Sequence, residues 1–328
     1  MSIRIRHALL ACCALAGSPL VSGHAMDFSF AVIAQASPTS PNEVAVQQAI
    51  TETDADNLAF VVANGIKAAT EPCTDDVYKQ RKNFLDRAKN GLIVSIAGDD
   101  WSDCRNAQGK STAAERLNRL REYFFVDEFS FGASRIPVMR QSRTAKFRSY
   151  AENTRWEMGD IMFATVNLPA NNNHYLPDAG RNSEFEDRLV ANRDWLQRIF
   201  TFAANKKMAG IVLFCDGNPF GKPDATAAFS LSGRRDGFVE TRQQINLLTT
   251  RFAGKVLIVH GGAEKSLPSP ERIVWHKNVG EVNVAAGIGW LKLSVSSSAP
   301  AIFSVYTEAG GTQTAHKKTG TQPEHADQ

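Results

Sequence analysis

The chain has 328 residues, of which 43% are hydrophobic and 22% charged, and its formal net charge is +3. That length accommodates one large domain with a substantial core. The near-balanced charge, with no Lys/Arg-rich block interleaved with aromatics, offers nothing for nucleic acid to grip. No run beyond the N-terminal segment reaches the ~18 apolar residues of a membrane helix, so no membrane span is expected.

In chain order, Arg4, Arg6 and His7 precede the apolar residues 8–16, and Gly23-His24-Ala25 supplies small residues for cleavage. This is the layout of a secretory signal peptide over residues 1–25. It predicts export, periplasmic or secreted, with the mature chain starting near Met26. Leu9-Leu10-Ala11-Cys12 loosely resembles a lipoprotein cleavage box, but few apolar residues precede Cys12, so lipidation is the minor reading. Residues 28–34 (FSFAVIA) read as the first strand, 43–50 as a short helix, and 57–63 (NLAFVVA) as a buried strand closed by Asn64-Gly65. Thr74 followed by Asp75 and Asp76 starts a helix over 75–88. A buried strand follows over 92–96, then Gly98-Asp99-Asp100.

Gly109-Lys110-Ser111-Thr112 has the look of a phosphate loop, but the motif needs a glycine where Cys104 stands and a strand directly before it. Ser111 and Thr112 instead cap a helix over 113–123. Residues 155–169 read as two strands about a turn at Gly159-Asp160. Asn171 to His174 form a polar loop in which His174 is expected to be solvated. Phe185, Leu189, Leu196, Ile199, Phe200 and Ala203 mark one face of a long helix, and Asn192 on that face needs a polar partner. Residues 210–215 form a buried strand, 226–237 a loop, 238–252 a helix and 255–260 another strand. Residues 273–276, 282–285 and 290–295 alternate as antiparallel strands do, 301–305 form a last strand, and the polar tail 309–328 is expected to be disordered. Buried strands alternating with helices indicate an α/β sheet with crossover connections.

Asp99 and Asp100 leave a strand end together, where ligands gather in open α/β sheets. They are therefore candidates for metal binding or acid–base work, against the plainer reading that Asp commonly starts a turn. Cys73 and Cys104 lie in polar, loop-like surroundings, whereas Cys215 ends an apolar strand. In an oxidising compartment this pairs Cys73 with Cys104 and leaves Cys215 buried and free. The cysteine spacing excludes a structural zinc site.

Phe28-to-Ser37, Phe60-to-Lys67, Gly98-Asp99-Asp100-Trp101-Ser102-Asp103-Cys104 and Val259-His260-Gly261 occur in an order that resembles the calcineurin-like metallophosphoesterases. The likeness is to an exported bacterial branch whose third motif reads roughly G-D-N-E-W-T-D-C. Pro72-Cys73, Arg188, Asn192, Trp195, Leu196 and Trp290 agree with it, and it runs from about Phe28 to Val305. The resemblance implies an α/β fold, a four-layer sandwich of two mixed sheets flanked by helices, over residues 26–308. In active members it implies two metal ions at strand ends that share a bridging hydroxide and clamp a phosphate.

Carried over residue by residue, the resemblance implies a depleted ligand set. Gln35 and Ser37 stand where Asp and a His-like group are expected, and Ile66 where the bridging Asp would follow Gly65. Gly98 and Asp99 match the third motif, while Asp100 answers to either of two positions. Cys215-Asp216 replaces a His, and in the last motif His260-Gly261 match while Gly262 and Glu264 replace Asp and His. The candidate catalytic residues are Asp99, Asp100 and His260. Asp99, Asp216, His260 and Glu264 are the candidate ligands of a residual divalent metal, Mn, Fe or Zn, if any is held. The leading expectation is an exported phosphoesterase-fold protein with lost or weak two-metal hydrolysis of phosphoesters. One alternative is an active single- or two-metal hydrolase of an exported phosphate ester. Another is a module that binds a small phosphate-containing ligand, another anion or a protein in the old cleft, hinted at by Asn171 to His174, Arg234 and Arg235.

Overall fold

The computed structural model describes residues 27–34, 42–176, 182–221, 235–261, 272–284, 289–299 and 301–306. The expected signal segment, the polar tail and most of the loop 226–237 lie outside them. In chain order the elements are β1 (Asp27–Ile33), α1 (Asn42–Asp54), β2 (Val61–Asn64), α2 (Asp75–Arg87), β3 (Leu92–Ser95), α3 (Ala113–Phe124), β4 (Met139–Arg140), β5 (Thr154–Met158) and β6 (Ile161–Thr165). They continue as α4 (Ser183–Asn205), β7 (Gly210–Cys215), α5 (Val239–Arg251), β8 (Lys255–His260), β9 (Val274–His276), β10 (Val279–Asn283), β11 (Trp290–Ser296) and β12 (Phe303–Val305).

The strands form two mixed sheets, ordered β12-β11-β1-β2-β3 and β4-β5-β6-β7-β8-β10-β9. In the first, β1, β2 and β3 are parallel and β11 is antiparallel to β1. In the second, β6, β7, β8 and β10 are parallel, with antiparallel neighbours β5 and β9. Side chains alternate across a strand, and the burial follows that rule. Val62 and Ile93 of the first sheet and Phe163, Val212, Phe214, Leu257 and Val259 of the second fill the space between the sheets. Val61, Ala63, Leu92 and Val94 face outward onto Ala49 of α1, Leu85 of α2 and Leu117 of α3. Met162, Ile211, Leu213, Val256 and Ile258 face Trp195 and Ile199 of α4 and Ile245 and Leu248 of α5. The result is an α/β sandwich of two mixed sheets flanked by helices, as the sequence predicts.

The inter-sheet layer is anchored by aromatics. Phe30 stacks on Phe60 with centroids 5.0 Å apart, and Phe163 meets Phe60 edge-on at 4.9 Å. Thr74 caps α2, its hydroxyl accepting from the Val77 N–H at 3.3 Å, which relieves one of the helix's unpaired first-turn donors. Cys73 and Cys104 are disulfide-bonded with Cα atoms 5.8 Å apart, and Cys215 is free and buried. Among the described residues no helix is long and apolar enough to cross a membrane.

Four details differ from the sequence reading. The strand expected over 282–285 begins earlier, at Val279, and runs parallel to β8 rather than only antiparallel to its neighbours. The hairpin between β9 and β10 turns through Lys277 at φ 61°, which a scan for turn glycines misses. β4 is a two-residue strand, too short for any periodicity to announce. At α3, Thr112 makes no side-chain cap bond, and it is Ser111 Oγ that accepts from the Ala113 N–H at 3.3 Å.

Candidate functional site

The carboxyl ends of β2, β3, β7 and β8 meet, bringing together residues far apart in sequence. Each of these strands is a short apolar run that ends in a polar residue or glycine, so the polar groups are delivered to one edge of the sandwich. Asp216, after β7, takes the Gly98 N–H at 2.7 Å and the Ala170 N–H at 2.8 Å on Oδ2. Its backbone carbonyl accepts from the Gly261 N–H at 3.0 Å. Gly261 follows β8 and packs so closely on β2 that a Cβ there would stand 2.4 Å from Asn64 Nδ2. A larger residue at this crossing would force the Asn64 side chain to move.

Asp100 is fully buried. Its Oδ1 accepts from the N–H groups of Ile66 and Lys67 at 3.0 and 3.2 Å, and its Oδ2 from Ala97 at 2.8 Å. These bonds occupy three of the roughly four acceptor positions of a carboxylate. Tyr78 Oη donates to the Asp100 carbonyl at 2.6 Å. Burial pushes the Asp100 pKa up to about 7 even though the Ala97 and Ile66 amides oppose it, and the charge of Asp216 adds to the rise. Asp216 is raised to about 6, by burial first, with the charges of Asp99 and Asp103 contributing. Asp99, Asp100 and Asp216 thus share one electrostatic neighbourhood. Lys67 is buried beside them, but its ammonium donates to the carbonyls of Ala68 and Glu71 at 2.9 and 3.0 Å.

His260 sits elsewhere. Val256 and Ile258 pack outward while Leu257 and Val259 pack between the sheets, so alternation along β8 turns His260 outward, toward the helical layer. There it lies beside Cys215, its register partner on β7. Neither ring nitrogen has a hydrogen-bond partner. Burial alone drives its pKa down to about 4, and no carboxylate contributes to that shift. The Cys215 thiol is pushed up by burial and is inert as a nucleophile at neutral pH. Glu264, Gln35, Ser37 and Arg234 lie outside the described residues.

The described residues do not fit a two-metal centre. No group of three or more His, Cys, Asp or Glu among them is placed to hold a metal ion, and Asp100 has given its oxygens to backbone amides. The edge nevertheless retains unsatisfied acceptors. Asn64 Oδ1 and Ser95 Oγ are buried without partners, at paired positions of β2 and β3. Alternation places both on the inter-sheet face. The sequence reading missed Asn64 and Ser95. The available signal was a polar residue near the end of each apolar strand, but Asn64 reads there as a strand closure and Ser95 as part of the strand 92–96.

The loop after β6 also departs from expectation. His174 is buried rather than solvated, with 6% exposure. Asn172, Asn173 and His174 all take left-handed backbone angles, φ 54°, 54° and 52°. Asn173 is held by Arg188, whose Nη1 donates to Asn173 Oδ1 at 2.5 Å and whose Nη2 donates to its carbonyl at 2.8 Å. Asn171 Nδ2 donates to Ser102 Oγ at 2.9 Å and Asp103 Oδ1 at 2.8 Å, tying the loop to the end of β3. Arg235, the other hint of a binding surface, is ion-paired with Glu240.

No family model matches the chain, and no curated protein matches it either.

Proposed function

We propose that this chain is an exported protein of the calcineurin-like metallophosphoesterase type in which two-metal phosphoester hydrolysis has been lost. The observation that carries the reading is the state of Asp100. Its carboxylate binds the backbone amides of Ile66 and Lys67, just where the resemblance calls for the bridging aspartate that Ile66 replaces. A carboxylate so engaged fastens one loop to another. Without a bridging carboxylate, two cations a few ångströms apart would lack the negative ligands that offset their repulsion. The disulfide supports export, since such bonds persist in oxidising compartments.

A second reading keeps one metal and weak hydrolysis at Asp99, Asp216, His260 and Glu264. The partnerless Asn64 Oδ1 favours it, because an oxygen acceptor at the strand-end edge that also carries Asp216 suits a hard cation.

Metal analysis of purified protein, with a chromogenic phosphodiester assay in added Mn²⁺, separates the two readings. The expected result is substoichiometric metal and no turnover. Stoichiometric metal with turnover that disappears in Asp99→Ala would overturn the proposal and establish the hydrolase.

A further inference from the structure

A hollow of about 400 Å³ opens at the start of α3, lined by Lys110, Ser111, Ala114, Glu115, His174 and Glu184 among others. It uses none of the strand-end carboxylates. His174 is clamped on its wall. Its Nδ1 lies 3.0 Å from Glu184 Oε2, and its ring meets the Trp101 ring edge-on with centroids 4.9 Å apart. Arg188 donates to the same carboxylate, Nε to Oε1 at 2.7 Å and Nη2 to Oε2 at 3.2 Å. Burial opposes ionisation of Glu184, but the Arg188 charge and the bonds from His174 and Arg188 outweigh it and draw its pKa down to about 2. An ionised carboxylate only accepts, so Nδ1 carries a proton toward it, and Nε2 is the ring's remaining polar atom. No described group bonds Nε2, although the residue is only 6% exposed and lines the hollow.

The facing wall is the open end of a twelve-residue helix. Thr112 contributes no side-chain cap, and Ser111 Oγ reaches only the Ala113 N–H. No described group accepts from the N–H of Ala114 or Glu115. These donors and the helix dipole favour a negative charge in front of them. Glu115, which would oppose one, is ion-paired with Arg116. Lys110 stands exposed on the rim.

We infer that this hollow binds a phosphate-type oxyanion. The Ala114 and Glu115 amides, Ser111 and Lys110 hold its charged oxygens, and His174 Nε2 makes a further hydrogen bond to it. The site is separate from the strand-end cluster and stands whether or not the reading of that cluster holds. The three left-handed residues fit this role, since consecutive strained conformations persist where surrounding contacts force them and collect at ligand sites.

Calorimetric titration of the folded chain with inorganic phosphate at mildly acidic pH tests the inference. The expected result is saturable binding, weakened about tenfold by Lys110→Ala and again by His174→Gln, as loss of a charge-assisted bond predicts. Lys110 and Ser111 are exposed, so the double variant Lys110→Ala/Ser111→Ala keeps the test decisive if His174→Gln fails to fold. Three results would overturn it: no saturable binding, affinity unchanged in that double variant, or affinity abolished by Asp216→Asn but untouched by Lys110→Ala, which would move the anion to the strand ends.

Discussion

Two buried polar regions of this protein solve the same problem in opposite ways. Around Asn153, the polar groups are largely paired, with Asn167 Oδ1 the exception. Asn153 Oδ1 takes the Asn167 N–H at 2.9 Å, and its Nδ2 donates to Gln141 Oε1 at 2.8 Å and Asn192 Oδ1 at 2.9 Å. Beside it, buried Glu152 receives Arg121 Nε and Nη2 at 2.8 and 2.6 Å and Asn167 Nδ2 at 3.1 Å. At the carboxyl ends of β2, β3 and β8, by contrast, Asn64 Oδ1, Ser95 Oγ and both His260 nitrogens have no partner. A satisfied buried network rigidifies the fold, while an unsatisfied one carries a desolvation cost that folding alone does not repay. The first region is held by its own hydrogen bonds, whereas the second leaves buried polar atoms that the described residues do not satisfy.

That contrast can be broken by measurement. The largest effect is expected at Glu152→Ala, which leaves the Arg121 charge buried without its partner and should cost about 3–5 kcal/mol in a denaturant titration. A loss below about 1 kcal/mol would show that the network contributes no more than an ordinary surface ion pair.

A smaller, pH-dependent effect belongs to Asp100. Its pKa is about 7 in the fold against an ordinary 3.8, so the folded state binds the proton more tightly than the unfolded chain. The stability this group contributes is fully present below about pH 4 and is lost as pH rises to about 7. Asp216 acts in the same direction up to about 6. His260, lowered from 6.5 to about 4, acts in the opposite direction, since the fold resists its protonation as pH falls through that window. The stability difference between wild type and Asp100→Asn should therefore change by about 1.4 kcal/mol per pH unit between about pH 4 and pH 7. Parallel profiles would mean that Asp100 titrates normally.

The smallest effect sharpens the comparison most. Ser95→Ala removes a hydroxyl with no partner and should leave stability unchanged or raise it by up to about 1 kcal/mol. A loss of about 1 kcal/mol or more would show that a bound water or ion satisfies Ser95, and the strand ends would have to be treated as an occupied site.

Much of the fold was legible because apolar runs such as 92–96, 210–215 and 255–260 have no reading other than buried strands. The cysteine pairing followed from polarity alone. The site was less legible, and for a physical reason. Asp99, Asp100 and Asp216 were identifiable as carboxylates at strand ends, but what Asp100 does depends on amides 33 and 34 residues away. His260 matched a motif, yet its direction is set by which face of β8 meets the helices. His174 was read as solvated because its loop is polar, and its burial comes from Trp101 and Glu184, which no local pattern ties to it.

The run from Asn172 to His174 also bears on which sequences this fold tolerates. Left-handed backbone admits glycine, asparagine and aspartate readily and β-branched residues at a steep cost. Three such positions in succession confine the loop to a narrow alphabet. An inserted or deleted residue would shift Asn173 away from Arg188 and His174 away from Glu184 together. The stretch from the end of β6 to His174 is therefore a ruler whose length cannot drift, although it lies in a loop, where drift is ordinarily easiest.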